Sequence, residues 1–351
     1  MKLIVTGGAG FIGSAFIRMV IREEPSVSVV NLNKLTYAGN LDNLAPVATS
    51  PRYRFVHGDI CDQTLVESLI RDEAIDAIVH FAAESHVDRS ILSPAPVFET
   101  NLRGTFSLLE AARKTNLTRF VHVSTDEVYG SIDPPYEADE NYPIRTSSPY
   151  SASKAGSDLL ALSYFHTYKL PVTVTRASNN YGPYHFPEKL IPLMICNAFE
   201  DKPLPVYGDG QQIRDWLYVE DHARAIFTVM GRGRLGEAYN ISGNCSLPNL
   251  EVVRRILAAT GKPESLITRV ADRPGHDRRY ALSSAKLEAE TGFVPAMQFD
   301  QGLASTVAWY RDNSEWVARV RSGRYREFYQ ENYGQRLSEA KTGARHRSGA
   351  N

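Results

Sequence analysis

The sequence predicts a doubly wound α/β fold, in which a parallel sheet with helices on both faces is followed by a smaller mixed α/β lobe. Short apolar runs of strand length alternate with longer segments of helical periodicity through the first half of the chain. A glycine-rich turn joins the first of these runs to the first helical segment. Beyond Ser178 the alternation breaks and prolines become frequent, which indicates that the second lobe begins there.

The first domain is expected to span residues 1–178 and to consist of βαβ units. Residues 2–6 form an apolar, β-leaning run, and residues 11–23 carry apolar side chains at helical spacing without a proline. Further elements are expected in chain order, with strands at residues 28–32, 53–57, 77–81, 120–124 and 171–176, and helices at 65–72 and 97–116. Residues 179–330 are expected to form mainly a substrate-binding lobe, although about 213–243 are expected to return to the first domain. Residues 331–351 are polar and are expected to form a disordered tail.

Composition argues against several classes of protein. A net charge of −1 over 351 residues argues against bulk binding to nucleic acid or to an anionic membrane. Cys61, Cys196 and Cys245 are widely spaced and belong to no metal-ligand pattern, so we expect ordinary thiols of a reducing compartment and no metal. The N-terminus is itself the first strand rather than a signal peptide, and no apolar run could span a bilayer. A cytoplasmic location is therefore expected.

Gly7, Gly10 and Gly13 punctuate the junction between the first strand and the first helix. Such a turn is tight, lets the backbone approach a pyrophosphate, and presents the N–H groups and the positive dipole end of the helix. The pattern therefore predicts a Rossmann-type dinucleotide site rather than a merely flexible turn. Ligands of such sheets lie beyond the carboxyl ends of the strands, which is where Asp59 and Thr125 fall.

The second strand is followed by Asn33 and Lys34, where a dinucleotide-binding fold usually places an acid for the adenosine ribose. Asparagine can still hydrogen-bond ribose hydroxyls, but it repels a 2′-phosphate less than a carboxylate does. The sequence therefore predicts a nicotinamide cofactor, and it favours NAD over NADP less sharply than an aspartate would.

Tyr150 and Lys154 lie four residues apart and therefore on one face of a predicted helix. An ammonium group beside a phenol favours the phenolate, so Lys154 is expected to lower the pKa of Tyr150. A tyrosine of this kind can remove the proton from a sugar hydroxyl while hydride leaves the same carbon. The spacing alone is a weak signal, because chance produces it on many surface helices, but the glycine turn upstream strengthens it.

Several stretches together give the chain a family resemblance. Residues 6–13, the Tyr150/Lys154 pair and the two-lobed layout resemble the extended short-chain dehydrogenase/reductase family. The resemblance narrows to the dTDP-glucose 4,6-dehydratases on residues 34–40, 82–90, 124–130, 178–189, 214–222 and 272–278. It covers about residues 1–330, and Thr125-Asp126-Glu127 is its most specific part. Asn33 departs from it, because members usually carry aspartate there.

The resemblance implies conversion of dTDP-glucose to its 4-keto-6-deoxy derivative in deoxysugar biosynthesis, with NAD unchanged overall. Tyr150, assisted by Lys154, would take the O4 proton while hydride passes from C4 to the cofactor. Glu127 would be the base at C5, Asp126 the protonated acid for the departing C6 hydroxyl, and Thr125 a hydrogen-bonding group near O4. Adjacent carboxyl groups with opposite duties need environments that push their pKa values apart.

The resemblance also implies binding roles at matching positions. Those for NAD are Gly7, Gly10, Phe11, Ile12, Gly13, Asn33, Lys34, Leu35, Thr36, Asp59, Ile60, Phe81, Ala82, Ala83, Ser85, Thr100, Tyr150, Lys154 and Asn180. Those for the nucleotide sugar are Ser85, Thr125, Asn179, Lys189, Leu190, Pro205, Tyr207, Arg214, Asn249, Asp272, Arg273 and His276. Arg214 and Arg273 suit a diphosphate, because guanidinium groups bind phosphate oxygens in pairs. Tyr207 could stack on a pyrimidine or belong to the core, and the sequence leaves both open.

Other functions remain open from the sequence. A UDP-sugar 4-epimerase would share the glycine turn and the Tyr150/Lys154 pair, but it needs no acid and base for dehydration. A catalytically inactive NAD-binding sensor would be expected to have lost one of these groups. UDP- or CDP-glucose could replace dTDP-glucose as the substrate, since base selection depends on loop geometry. By resemblance a homodimer is expected, with an interface that includes residues 97–116 and the helix bearing Tyr150.

Overall fold

A seven-stranded parallel sheet forms the centre of the protein in the computed structural model, which describes residues 1–115, 117–322 and 336–337. In chain order the strands are β1 (Lys2–Thr6), β2 (Ser28–Asn33), β3 (Tyr53–His57), β4 (Ala77–His80), β5 (Arg119–Thr125), β6 (Val172–Ala177), β7 (Asn179–Tyr181), β8 (Leu204–Tyr207), β9 (Ile213–Tyr218), β10 (Ala238–Ile241), β11 (Ser246–Pro248) and β12 (Ile267–Val270). The central sheet has the order β10-β6-β5-β4-β1-β2-β3, and all its pairs are parallel. This order confirms the predicted doubly wound fold.

Helices cover both faces of this sheet and build much of the second lobe. They are α1 (Phe11–Glu23), α2 (Gln63–Asp72), α3 (Val87–Leu92), α4 (Ala95–Phe98), α5 (Thr105–Lys114), α6 (Pro149–Tyr168), α7 (Leu190–Phe199), α8 (Val219–Arg232), α9 (Asn249–Thr260), α10 (Ala285–Thr291), α11 (Phe299–Asp312) and α12 (Ser314–Val320). None of the described helices is long and apolar enough to cross a membrane.

Two hydrophobic cores lie on opposite faces of the central sheet. Side chains of α1 and α8 pack on one face, whereas α2, α5 and α6 pack on the other. Apolar side chains from neighbouring parallel strands reach both cores, which explains the nearly continuous apolar strands of the sequence. The carboxyl ends of the strands remain free to carry polar groups.

The helix predicted over residues 97–116 differs from the observed structure. The chain forms α4, then a π-helical turn over Glu99–Gly104, and only then α5. In the turn, the Asn101 side chain donates to Ser153 Oγ over 2.9 Å and accepts from the Glu84 backbone N–H over 2.8 Å. Apolar periodicity cannot reveal such a turn, because these tertiary hydrogen bonds form only when α6 lies alongside.

The second lobe is built around two small sheets. One has the order β11-β9-β7, the other pairs β12 with β8, and α7, α9, α11 and α12 pack around them over a third core. The two lobes meet at α12, where Trp316 Nε1 donates to Asn43 Oδ1 over 3.0 Å. The predicted disordered tail, residues 331–351, lies outside the described residues except for Arg336 and Leu337.

Candidate active site

The glycine turn between β1 and α1 forms a cradle that side chains would fill. Gly7 has φ +69, and a Cβ added there would lie 2.6 Å from the backbone nitrogen of Ala82. A Cβ at Gly13 would lie 2.6 Å from the Gly7 carbonyl oxygen. These close approaches leave backbone N–H groups and the N-terminus of α1 facing a cavity, which is the arrangement that binds a pyrophosphate.

The cavity beside this turn has a volume of about 340 Å³ and runs along the carboxyl ends of the central strands. It brings together all the cofactor residues that the sequence predicted except Leu35. Leu35 lies outside because its backbone N–H donates to Asn33 Oδ1 over 2.7 Å, in a left-handed conformation with φ 52. The long cavity, the glycine cradle and the helix N-terminus fit a dinucleotide.

Asn33 and Lys34 lie at the end of this cavity that β2 and β3 form. Because Asn33 Oδ1 accepts from the Leu35 backbone, the side-chain amide nitrogen of Asn33 is the group left to bind a ribose hydroxyl. Lys34 Nζ lies 2.6 Å from Asp59 Oδ2, so a carboxylate balances the nearby cation. The charge of Lys34 is therefore balanced by Asp59, and this lysine would attract the 2′-phosphate of NADP less than an unpaired lysine would.

Tyr150 and Lys154 lie in the first turns of α6 and line the same cavity. The helix begins with a capping box, in which Ser148 and Ser151 each accept the other's backbone N–H. Lys154 Nζ donates to the Val123 carbonyl over 2.8 Å, and burial lowers the lysine pKa to about 8. The cap and this bond hold both side chains at the carboxyl end of β5.

The expectation that Lys154 lowers the pKa of Tyr150 is wrong for the protein chain alone. Burial raises the pKa of the Tyr150 phenol above its usual value, and the nearby Glu127 raises it further. Burial also weakens the hold of Lys154 on its proton, as its lowered pKa shows. The sequence argument considered one helix face only, whereas the desolvation depends on every element packed around the pair.

Thr125, Asp126 and Glu127 lie where β5 passes into a 3-10 helix over Asp126–Tyr129. Thr125 Oγ1 accepts from the Glu127 backbone N–H over 3.3 Å and donates to Asp126 Oδ1 over 3.2 Å. All three residues line the cavity that also holds Tyr150. The threonine therefore caps the turn and holds the Asp126 carboxyl group beside the cavity.

The two carboxyl groups have different electrostatic environments. Asp126 is only 2% exposed, and burial, reinforced by Glu127, raises its pKa well above the usual value. Burial also raises the pKa of Glu127, but Arg273, Lys189 and Arg214 oppose that rise. Of the two, Asp126 is consequently the group that burial favours in its protonated form, and Glu127 is the better candidate for the ionised one. Such a pair can serve as acid and base.

A second cavity opens beside the first and is lined mainly by the smaller lobe. Glu127, Asn179, Lys189, Leu190 and other residues line both cavities, so the two meet beside Tyr150. Of the predicted substrate residues, Ser85 and Thr125 line the first cavity, and those that line the second are Asn179, Lys189, Leu190, Pro205, Tyr207, Arg214, Asn249, Arg273 and His276. Asp272 lines neither.

Cationic side chains give the second cavity its charge. Arg214 is 5% exposed and donates to the backbone carbonyls of Ile213 and Asp277, over 2.8 and 2.9 Å. Since both acceptors are neutral, neither of these two bonds is an ion pair. Lys189 Nζ donates to another backbone carbonyl, that of Ser85, over 2.7 Å. This arrangement suits a bound anion such as a diphosphate.

Asp88 ties together two predicted substrate residues of the other lobe. Its carboxylate accepts from the Tyr207 hydroxyl over 3.1 Å and from Arg273 Nη1 over 3.4 Å. The guanidinium carbon of Arg336 lies 4.9 Å from the centre of the Tyr207 ring. Tyr207 is therefore a cavity side chain with a fixed orientation, which favours its interpretation as a stacking group over a place in the core.

Asp272 has a supporting position instead of a binding one. It is exposed, and its Oδ1 lies 2.6 Å from His276 Nδ1, while Gln212 Nε2 donates to Oδ2 over 3.0 Å. Burial lowers the pKa of His276 to about 4, so the imidazole is neutral near pH 7 and Nδ1 donates to the carboxylate. His276 Nε2 is then an acceptor on the side of the ring away from Asp272.

Sequence reasoning missed several residues that line the second cavity. These are His86, Val87, Asp88, Glu188, Leu193, Met194, Trp216 and Tyr280. Asp88, Glu188 and Trp216 stand inside stretches that carry the family resemblance, so the motifs could have identified them. Tyr280 lies outside those stretches, and its ring packs at the cavity against the Arg214 guanidinium, 4.0 Å away.

Known proteins resemble this chain over most of its length. A family model described as GDP-mannose 4,6 dehydratase matches residues 4–306. A dTDP-glucose 4,6-dehydratase of Shigella flexneri is 52% identical over 95% of this chain and 99% of that protein. DesIV, a dTDP-glucose 4,6-dehydratase of Streptomyces venezuelae solved with NAD and TYD bound, is 51% identical with a TM-score of 0.89, covering 91% of this chain and 100% of that one. A UDP-glucose 4-epimerase of Thermus thermophilus, solved with NAD, is 31% identical with a TM-score of 0.82, covering 89% and 100%.

Proposed function

The chain belongs to the GDP-mannose 4,6 dehydratase family, and we propose that it is an NAD-dependent hydro-lyase that converts dTDP-glucose to dTDP-4-keto-6-deoxyglucose. The observation that carries the proposal is the pair Asp126 and Glu127. Both carboxyl groups line the cavity that holds Tyr150, and their pKa values are raised to different extents. A protonated acid and an ionised base beside one sugar are what loss of water requires.

Bound NAD supplies a reversible acceptor for the hydride of C4. Tyr150 takes the O4 proton, and Lys154 lies one helical turn away on α6 and lines the same cavity. Burial raises the Tyr150 pKa in the protein alone, and a positively charged nicotinamide held in the same cavity would oppose that rise. The Thr125 hydroxyl donates to Asp126 Oδ1 in the protein alone, and it turns this proton toward O4 when the sugar binds.

The resulting 4-ketone acidifies the proton on C5, and Glu127 removes it. Asp126 gives its proton to the C6 hydroxyl, so the C6–O bond breaks and water departs as the C5–C6 double bond forms. Glu127 later returns a proton to C5 when C6 is reduced. At the end of the cycle Tyr150 holds the O4 proton and Asp126 lacks the proton that left with water. The proton balance closes when Tyr150 releases one proton to solvent and Asp126 takes one up before the next turnover. Arg214, Arg273 and Lys189 hold the diphosphate throughout.

The epimerase alternative is disfavoured. A 4-epimerase needs the Tyr150/Lys154 pair and the cofactor but has no step for an acid and a base at C5 and C6. The 52% identity to a dTDP-glucose 4,6-dehydratase against 31% to a UDP-glucose 4-epimerase points the same way. An inactive sensor protein is disfavoured as well, since the four groups that the reaction needs line one cavity.

We also propose that the protein is a cytoplasmic homodimer. Large apolar side chains are exposed on the helices that the resemblance assigned to the interface, namely Phe98 (41% exposed), Phe106 (45%) and Leu159 (56%), and Leu92 (67%) is exposed on the adjacent α3. A patch of this kind on α3, α4, α5 and α6 suits association with a second copy. Cys61, Cys196 and Cys245 are free thiols, as expected for a reducing compartment.

Incubation with dTDP-glucose tests the proposed activity. We expect a 4-keto sugar, detected by its alkaline absorbance, and a product lighter by one water in the mass spectrum. UDP-glucose and CDP-glucose in parallel reactions test selection of the base, and Tyr150→Phe serves as the inactive control. Formation of an epimer without water loss would contradict the dehydratase assignment.

A further inference from the structure

Trp216 and Asn179 occupy neighbouring positions where the two cavities meet. Asn179 lies on β7 and Trp216 on β9, and the parallel register of these strands pairs them directly. Paired residues of adjacent strands project to the same side of a sheet, with backbones about 4.8 Å apart. Both side chains line the first cavity and the second. They therefore face the region that a sugar must occupy to reach both Tyr150 and the diphosphate clamp.

Each of the two side chains has one buried polar atom without a hydrogen-bond partner among the described residues. The atoms are the indole Nε1 of Trp216, a donor, and Oδ1 of Asn179, an acceptor. Leaving such atoms unpaired is costly, and native proteins seldom do so away from functional sites. A hydroxyl group both donates and accepts, so one hydroxyl can bond to the two atoms at once.

We propose that Trp216 Nε1 and Asn179 Oδ1 together bind one hydroxyl of the hexose, at C2 or C3, which makes Trp216 a substrate-binding residue. The assignment rests on the proposed function. In that reaction Tyr150 and Thr125 contact O4, and the C6 hydroxyl leaves as water with the proton of Asp126. The C1 oxygen carries the diphosphate. The hydroxyls at C2 and C3 are the ones left for the donor and acceptor pair.

The surroundings of Trp216 fix its indole independently of any ligand. Its ring lies 6.5 Å from Tyr181 at 83° and 6.4 Å from Phe299 at 49°. Its backbone N–H donates to the Cys245 carbonyl over 3.0 Å. Phenylalanine at this position keeps the aromatic packing and removes the N–H, so Trp216→Phe tests the hydrogen bond with little change in shape.

The experiment combines this variant with substrates that lack one hydroxyl. Wild type and Trp216→Phe are compared with dTDP-glucose, dTDP-2-deoxyglucose and dTDP-3-deoxyglucose. Turnover gives kcat/KM, and calorimetry gives each Kd with Tyr150→Phe added to both proteins, so that no substrate is consumed. We expect Trp216→Phe to weaken binding of dTDP-glucose by about three- to tenfold, the effect of one net hydrogen bond. For one of the two deoxy sugars the same substitution should change Kd by less than about twofold, because that sugar lacks the hydroxyl that forms the bond.

Trp309→Phe is the matched control. Trp309 packs on Tyr184 and Trp316 and lines neither cavity, so its substitution should leave every Kd within about twofold. Tm and the amount of bound NAD are measured for each variant. If Trp216→Phe lowers Tm, Asn179→Ala is titrated with the same three sugars. Asn179→Ala must then weaken binding of dTDP-glucose but not of the deoxy sugar whose affinity Trp216→Phe also leaves unchanged.

An unchanged affinity for dTDP-glucose in Trp216→Phe would overturn the inference. An equal loss with all three sugars would also overturn it, because the indole would then act on the fold or on the cofactor rather than on a sugar hydroxyl. The measurement of each Kd does not depend on turnover. A wild type that binds dTDP-glucose without forming a 4-keto product would therefore defeat the proposed function while still testing this contact.

Discussion

Replacing Glu127 by glutamine should separate oxidation at C4 from elimination across C5 and C6. Glutamine keeps the shape of the side chain but cannot take up a proton at neutral pH. Glu127 shares a cavity with Tyr150, and Arg273, Lys189 and Arg214 favour its ionised form against the effect of burial. We expect kcat to fall by about 10²- to 10⁴-fold, as for loss of a general base. That fall corresponds to about 3 to 5 kcal/mol of the barrier.

Stability should change in the opposite direction to activity. Burial raises the pKa of Glu127, so the folded protein binds this proton more tightly than the unfolded chain does. The stability that this proton contributes is present at low pH and is lost as the pH rises through the folded-state pKa. Glutamine does not ionise, so the stability of Glu127→Gln is not lost in this way as the pH rises. The Tm of Glu127→Gln at neutral pH should therefore be equal to or higher than that of the wild type.

A single turnover in deuterated water provides the assay. Exchange of the C5 proton is followed by mass spectrometry, and reduction of the bound cofactor is followed by its absorbance. In Glu127→Gln we expect reduced cofactor and a 4-keto glucose to accumulate while exchange at C5 and water loss slow. Tyr150→Phe should suppress both signals, and Glu99→Gln, an exposed site, should change neither. Product formation by Glu127→Gln at the wild-type rate would refute the assignment of Glu127 as the base.

Three further predictions concern the pH profile, the cofactor and the tail. Burial raises the pKa of Glu127, so activity should fall on acidification at a pH above about 4.3, the ordinary glutamate pKa. If the acidic side of the pH–activity profile falls only at or below that value, Glu127 is not the base. Asn33→Asp should leave activity intact and increase the preference for NAD over NADP, measured on the nucleotide released by denaturation; bound NADP in the wild type would oppose this view of Asn33. Removing residues 332–351 should lower stability by no more than about 1 kcal/mol, the scale of the cation–π contact between Arg336 and Tyr207, and a large fall in Tm would show that the tail docks more extensively.

The sequence alone determined the parts of this protein that depend on short-range patterns. The glycine turn, the apolar strands and the spacing of Tyr150 and Lys154 are local, since each needs only a few consecutive residues to express its geometry. Parallel strands in a doubly wound sheet end at the same edge, so placing Asp126 and Glu127 after a strand was enough to predict their meeting with the cofactor cavity. The π-helical turn escaped because it depends on contacts with another helix.

Only the tertiary structure decided which distant side chains converge and how strongly each holds its proton. Asp88 meets Tyr207 and Arg273 from sequence separations of 119 and 185 residues, and strand register alone brings Trp216 beside Asn179. The pKa of Tyr150 rises rather than falls, because burial by several elements outweighs one lysine on the same helix face. Desolvation and long-range contact are properties of the packed chain. No local pattern of residues specifies them.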